Sequence, residues 1–228
     1  MNLLLQIIID QFRFLFFRQP GKQIATHWQA YLVFGFFCTW LAGIGRYWDN
    51  PRAHLFQHLG LGSVVYVLFL SALLWILFYP LKPKHWLFRN VLVFVSLCSL
   101  PALLYAIPVE RLLPLETAQS ANAWFLAIVA SWRVALLVVF LKRVAQLPGT
   151  TVLVATLLPI ALIIVALSAL NLEHVVFNIM AGNGVETSSP NDLSYGIVFL
   201  LSIFSTLALP VLAIAYAVLV YQARRAAE

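Results

Sequence analysis

The sequence contains few charged residues. Only 10% of its 228 residues are Asp, Glu, Lys or Arg, and just 8 residues are acidic. Soluble domains carry roughly a quarter charged residues, so a soluble fold of this size could not cover so much apolar surface with polar side chains. The 63% hydrophobic content and the mean hydropathy of +0.93 therefore predict a membrane protein.

Motifs of the common enzyme classes are also missing. The chain has no Walker P-loop, no GxGxxG, no GxSxG and no HExxH. No stretch between its apolar runs is long enough to form a nucleotide-binding domain. Its two cysteines, Cys38 and Cys98, lie within apolar runs and belong to no CxxC pattern. We therefore expect no cofactor and no metal, and we regard an enzyme as the less favoured class.

The chain does contain six long apolar runs. Each is near the ~20 residues that a helix needs to cross the hydrocarbon core. The runs are continuous and do not alternate with polar residues, which favours helices over a β-barrel. We predict an all-α, polytopic transmembrane bundle with six spans, at residues 28–45, 60–79, 86–107, 123–141, 150–170 and 194–222.

The basic residues alternate between the predicted loops. Ten of the 14 Lys and Arg lie in the N-terminal segment, the second and fourth loops and the C-terminal tail, whereas the other three loops hold three. The positive-inside rule then places both termini in the cytoplasm, in a plasma membrane such as the bacterial inner membrane. The net charge of +6 indicates topology and attraction to anionic lipid, and we expect no nucleic-acid partner.

The first 20 residues have an amphipathic pattern. We expect residues 1–20 to form a helix in the cytoplasmic interface, separate from a single six-helix domain at 21–228. A seventh span and a helix that docks a partner are the alternatives. The pattern depends on polar residues that recur every three or four positions and so share one helical face: Asn2, Gln6, Asp10 and Arg13.

Arg133 is the main candidate for a site inside the membrane. It lies about nine residues from the cytoplasmic end of its run, near the bilayer midplane at ~1.5 Å per residue. An Arg at that depth costs at least about 2.5–3.5 kcal/mol, so it should face the bundle interior or a polar cavity. No acidic residue lies in any predicted span. Its partner is then Ser131, a carbonyl freed at a kink, water or an anionic ligand, and both a structural and a binding role stay open.

The predicted outer edge supplies a second, weaker set of candidates. Three His and a carboxylate there could serve zinc or copper as ligands. The alternatives are a polar cap of ion pairs, such as Asp49 with Arg46 or Arg52, and an outward surface that binds a lipid headgroup, a glycan or a protein. The candidates on this edge are Arg46, Asp49, Arg52, His54, His58, Glu173 and His174.

Three prolines lie inside predicted spans, at Pro101, Pro159 and Pro210. Each removes a backbone hydrogen bond and favours a kink. A hydroxyl side chain shortly before each proline could hold the freed carbonyl.

Two functions fit these features. The first is a lipid- or protein-binding scaffold, assembly component or complex subunit, with membrane lipids and another membrane protein or a second copy as partners. The second is a small transporter or permease subunit that holds an anionic substrate between kinked helices and Arg133. Short loops and the absence of catalytic motifs favour the first function.

The orientation can be tested with reporter fusions. Fusions in the loops at Lys82–Lys84 and Lys142–Arg143 should report the cytoplasm, and a fusion after Leu170 should report the opposite side. A reversed order at any of these positions would show that a span was miscounted.

Overall fold

The computed structural model describes residues 2–48, 54–170 and 193–226, and the regular secondary structure in these ranges is helical. Two 3-10 helices, Tyr79–Leu81 and Leu100–Ala106, follow α5 and α6. The α-helices are α1 Leu3–Leu15, α2 Gln23–Thr26, α3 Trp28–Tyr47, α4 Leu55–His58, α5 Leu61–Phe78, α6 Phe88–Leu97, α7 Val109–Leu112, α8 Leu115–Arg143, α9 Gly149–Ala169 and α10 Leu193–Arg225.

Six helical segments are long and apolar enough to cross a membrane, and each overlaps one predicted run. For the described residues, this confirms the prediction of an all-α fold with six candidate spans. Helix α1 is not among them. The segments are Trp28–Tyr47, Leu61–Leu81, Phe88–Ala106, Ser120–Arg143, Gly149–Ala169 and Phe199–Arg225.

The main core forms where α5, α6, α8 and α9 meet. Phe78 of α5, Val91 of α6, Leu141 of α8 and Ala155 of α9 are each completely buried there. The rings of Phe94 and Phe140 stack with their centroids 4.1 Å apart and join α6 to α8. Helix α3 packs against α5, α6 and the second 3-10 helix, while α10 packs mainly against α9.

The outward face of α10 is apolar. Phe204, Leu207, Val211 and Ile214 are each about two thirds exposed. Monomeric soluble proteins rarely expose a continuous apolar surface of this kind. The surface of α10 therefore suits an apolar surrounding.

Helix α1 turns its polar face toward the rest of the protein. Gln6, Asp10 and Gln11 are buried, while large apolar residues such as Leu4 and Phe12 are exposed. Ile7 and Leu15 of α1 belong to clusters that contain core residues of the other helices. The amphipathic pattern thus marks a helix whose polar side is satisfied by protein groups.

Asp10 anchors α1 to the start of α3. Its Oδ2 accepts hydrogen bonds from the Tyr31 hydroxyl at 2.6 Å and the Gln6 amide at 3.3 Å, and its Oδ1 accepts from Gly21 N–H at 2.9 Å. Burial alone would raise the pKa of this carboxyl, but these bonds and the charge of Arg13 hold the pKa below its ordinary value. The fold therefore favours the carboxylate form.

Asp10→Asn should lower the melting temperature of the detergent-solubilised protein at neutral pH. An amide offers one oxygen where the carboxylate offers two, so its NH₂ would meet a donor, at a cost of about 1–3 kcal/mol. Because the folded-state pKa is depressed, the wild-type stabilisation is present above the unfolded pKa of about 3.9 and is lost as pH falls through the lower folded value. The variant should therefore lose less stability on acidification.

The matched control is Arg13→Gln, since the Arg13 side chain is half exposed and its contact with Asp10 is 3.5 Å long. An ion pair with a half-exposed cation and so long a contact contributes little beside the three hydrogen bonds of Asp10, so this variant should melt nearly like the wild type. Equal melting curves for Asp10→Asn and the wild type from neutral to acidic pH would contradict the anchoring role.

Helices α3 and α6 approach each other closely at Gly35. A Cβ at this position would lie 2.8 Å from Ser96 Cβ and 3.1 Å from the Ser96 carbonyl carbon. The second of these atoms is backbone, so relief requires the two helices to move apart.

Gly35→Ala should destabilise the fold by about 1–3 kcal/mol through this overlap. The measurement is thermal unfolding in detergent, with Gly149→Ala as the control because nothing lies within 4 Å of a Cβ at Gly149. Equal stability of the two variants would show that the helices tolerate the added methyl group.

Candidate functional site

The third candidate span changes its helix type at Pro101. Proline has no N–H, so the carbonyl of Leu97, four residues earlier, loses its helical donor. Helix α6 ends at Leu97 and a 3-10 helix follows. In an α-helix, the N–H of Ala102 would donate to Cys98 O. In the 3-10 helix it donates to Ser99 O instead, at 2.9 Å, so the carbonyl of Cys98 is freed as well.

Arg133 binds one of these freed carbonyls. Its Nε donates to Cys98 O at 3.1 Å, and the side chain is half-buried. Arg133 continues the buried face of α8 that also contains Val129 and Leu136. Of the partners suggested by the sequence, the structure shows the carbonyl freed at a kink.

Arg46 lies against the second 3-10 helix. The guanidinium carbon of Arg46 lies 4.5 Å from the centroid of the Tyr105 ring, a cation–π contact. Arg133 bonds Cys98 O, just before the same 3-10 helix. Ala42, from α3, and Val129, from α8, pack behind this junction with Ala102.

The two guanidinium groups lack a neighbouring carboxylate in the part of the chain that the structure describes. The ion pair seen there joins Asp10 to Arg13 in α1. Among the described residues, the Arg46 Nε is buried and has no hydrogen-bond acceptor. Two cationic groups beside one 3-10 helix produce a local positive potential that favours an anion.

Gln11 binds the other freed carbonyl. Its Nε2 donates to Leu97 O at 2.8 Å, although the two residues are 86 positions apart in the chain. Helix α1 is also tied to α8, because Trp132 Nε1 donates to Leu15 O at 2.9 Å. An Arg143 N–H donates to Phe17 O as well. Helix α1 therefore contacts both the break in the third span and the residue next to Arg133.

The structure describes only some of the residues that were predicted to lie at the outer edge. His54 is the N-cap of α4, where its N–H donates to Gln57 Oε1 at 2.9 Å, and His58 is the last residue of that helix. The described residues contain no group of three or more His, Cys, Asp or Glu that could hold a metal ion. Four members lie outside the described ranges: Asp49, Arg52, Glu173 and His174.

Sequence reasoning missed that Arg46 and Arg133 both contact the segment around Pro101. It assigned Arg46 to the outer edge from its loop position and did not consider Tyr105. Pro101 was the available signal, because a proline inside a span frees carbonyls that attract donors from other helices.

The other two prolines leave their helices continuous. Helices α9 and α10 run through Pro159 and Pro210. The Thr156 hydroxyl donates to Val152 O at 2.8 Å, one turn before its own position, and Thr206 bonds in the same way. These hydroxyls therefore hold carbonyls of their own preceding turn, and the expectation that they hold the carbonyls freed by proline was wrong.

An open apolar groove runs along another face of α8, next to the end of α1. Its volume is about 410 Å³ and its lining is almost entirely apolar. A groove of this character suits an acyl chain better than a hydrated solute. It is lined by Phe17, Trp124, Ala127, Ile128, Ser131 and Trp132.

The chain matches no model of a known protein family, no curated protein and no solved structure.

Proposed function

We propose that the chain is an integral membrane protein with six spans and both termini in the cytoplasm, located in a plasma membrane such as the bacterial inner membrane. Six apolar helices, an apolar outer surface and the alternation of basic loops support this proposal. Helix α1 then lies in the cytoplasmic half of the bilayer, with its exposed apolar side chains toward lipid.

We further propose that it is a non-catalytic membrane component that binds a phosphate-bearing anion, foremost an anionic lipid headgroup. The observation that carries this proposal is the placement of two guanidinium groups beside one 3-10 helix: Arg46 lies 4.5 Å from the Tyr105 ring centroid, and Arg133 Nε lies 3.1 Å from Cys98 O. An anion bound there would balance their charge. Charge-assisted bonds from Arg to phosphate are short, strong and often bidentate.

The geometry leaves donors for such a ligand. Among the described residues, Arg133 donates to Cys98 O through its Nε, which leaves the donors of its two terminal NH₂ groups for a ligand. Arg46 retains an unpartnered Nε. Carbonyl and cation–π contacts hold both groups in place without neutralising their charge.

A binding component is favoured over a transporter by the shape of the surface near Arg133. A transporter for an anionic substrate needs a water-filled passage beside the arginine. The groove on α8 is open and apolar instead, and its members Ser131 and Trp132 precede Arg133 directly. A lipid with an anionic headgroup and acyl chains would find both kinds of surface on one helix.

Lipid retention in native mass spectrometry tests this function. The protein is reconstituted into nanodiscs of phosphatidylcholine and phosphatidylglycerol in equal parts, and released lipid complexes are counted. The wild type should retain phosphatidylglycerol, and Arg133→Gln and Arg46→Gln should each bind it roughly tenfold more weakly through loss of a charge-assisted bond. Competition with inorganic phosphate distinguishes a lipid headgroup from a free phosphate as the source of the anion.

Arg89→Gln is the control, because it removes the same charge from an exposed position at the start of α6. This variant should retain phosphatidylglycerol like the wild type. Equal losses in all three variants, or no preference of the wild type for either anion, would overturn the proposal. A large gain of affinity in Asp49→Asn would also overturn it, since a carboxylate of the chain would then occupy the site.

A further inference from the structure

The break at Pro101 joins two parts of the protein that are far apart in sequence. It frees the carbonyls of Leu97 and Cys98, which are consecutive in the chain. Gln11 of α1 holds the first at 2.8 Å, and Arg133 of α8 holds the second at 3.1 Å. Leu97 O belongs to the peptide unit between Leu97 and Cys98, and Cys98 O belongs to the next one. Two adjacent peptide units, joined at the Cα of Cys98, are therefore each held by a side chain from another helix.

We infer that Gln11 is a positioning residue for the anion site, through which α1 sets the orientation of Arg133. This inference rests on the proposed function, because it concerns the regulation of that same site. Rotation of the peptide unit between Leu97 and Cys98 turns Leu97 O and changes the backbone angle φ of Cys98. The next peptide unit, which carries Cys98 O, is attached through the same Cα. Releasing Leu97 O from Gln11 therefore removes a constraint on Cys98 O, the group that aims the Arg133 guanidinium.

The environment of Gln11 supports a positioning role. The residue is only 3% exposed, and its Oε1 is buried without a donor. A buried unsatisfied oxygen costs about 1–3 kcal/mol, so a glutamine kept for stability alone would be poorly suited to this position. Its amide N–H is the feature that an apolar side chain of the same size could not supply.

Two further hydrogen bonds connect α1 to the helices that carry the arginines of the site. Trp132, the neighbour of Arg133, donates to Leu15 O, and Asp10 binds Tyr31 at the start of α3. The site itself lies between α3, α8 and the 3-10 helix. Helix α1 thus contacts α3, α8 and the end of α6 that leads into the 3-10 helix, and a shift of α1 toward or away from the bundle would act on the segments that carry Arg46 and Arg133.

A double-mutant cycle between Gln11 and Pro101 tests the inference. Gln11→Met keeps the size of the side chain but removes the donor. Pro101→Ala restores an N–H that can bond Leu97 O within a continuous helix. The readout is phosphatidylglycerol retention in the same nanodiscs, with melting temperature measured in parallel to separate binding from stability.

Gln11→Met should weaken retention roughly fivefold in the wild-type background, the equivalent of one lost hydrogen bond. In the Pro101→Ala background it should have no effect, because the helix itself now satisfies Leu97 O. Pro101→Ala alone should also weaken retention, since Cys98 O returns to the helix and releases Arg133, while its melting temperature stays equal or rises. If Pro101 had only a structural role, Pro101→Ala would not weaken binding in a protein whose melting temperature is equal or higher.

Equal effects of Gln11→Met in both backgrounds would overturn the inference, since the loss would then reflect general destabilisation. Unchanged retention in Gln11→Met would also overturn it. The proposed function fails separately, when the wild type itself retains neither phosphatidylglycerol nor inorganic phosphate.

Discussion

Pro101 has no amide hydrogen, and the arrangement of both the site and the N-terminal helix depends on this. In an apolar surrounding, a carbonyl without a donor costs several kcal/mol, so the carbonyls of Leu97 and Cys98 require side-chain donors. Burial of the polar ends of Gln11 and Arg133 also costs free energy. Each hydrogen bond therefore satisfies both a polar side chain and a carbonyl. The break in one helix thereby determines where two others pack.

The same physical rule recurs across the chain at smaller scale. Side chains with a single donor hold backbone carbonyls near helix ends or between helices, as when Trp132 bonds Leu15 O and Tyr216 bonds Leu77 O at 2.6 Å. Trp and Tyr suit this task because they combine a large apolar ring with one polar group. In a chain with 63% hydrophobic residues, such bonds supply much of the directionality that apolar contacts lack.

The contacts of Arg46 and Arg133 differ from these bonds because they leave a charge that is not balanced. A carbonyl satisfies part of a guanidinium group but leaves its charge, and the Tyr105 ring compensates that charge only weakly. Partial burial of two charges without a carboxylate partner among the described residues costs free energy, and for this reason we propose an anionic ligand there. The apolar groove on α8 would give the acyl chains of the proposed lipid a surface of matching character.

The number, position and helical nature of the six candidate spans were predictable from the sequence, because length and hydropathy are local properties. The need of Arg133 for an internal partner was predictable for the same reason. Three features became clear only from the tertiary structure. They are the group that became this partner, the end of the α-helix near Pro101 but not at Pro159, and the direction in which α1 turns its polar face. These outcomes depend on contacts across 35 and 86 positions, where no periodicity connects donor and acceptor. Packing of the helices alone brings them within hydrogen-bonding distance.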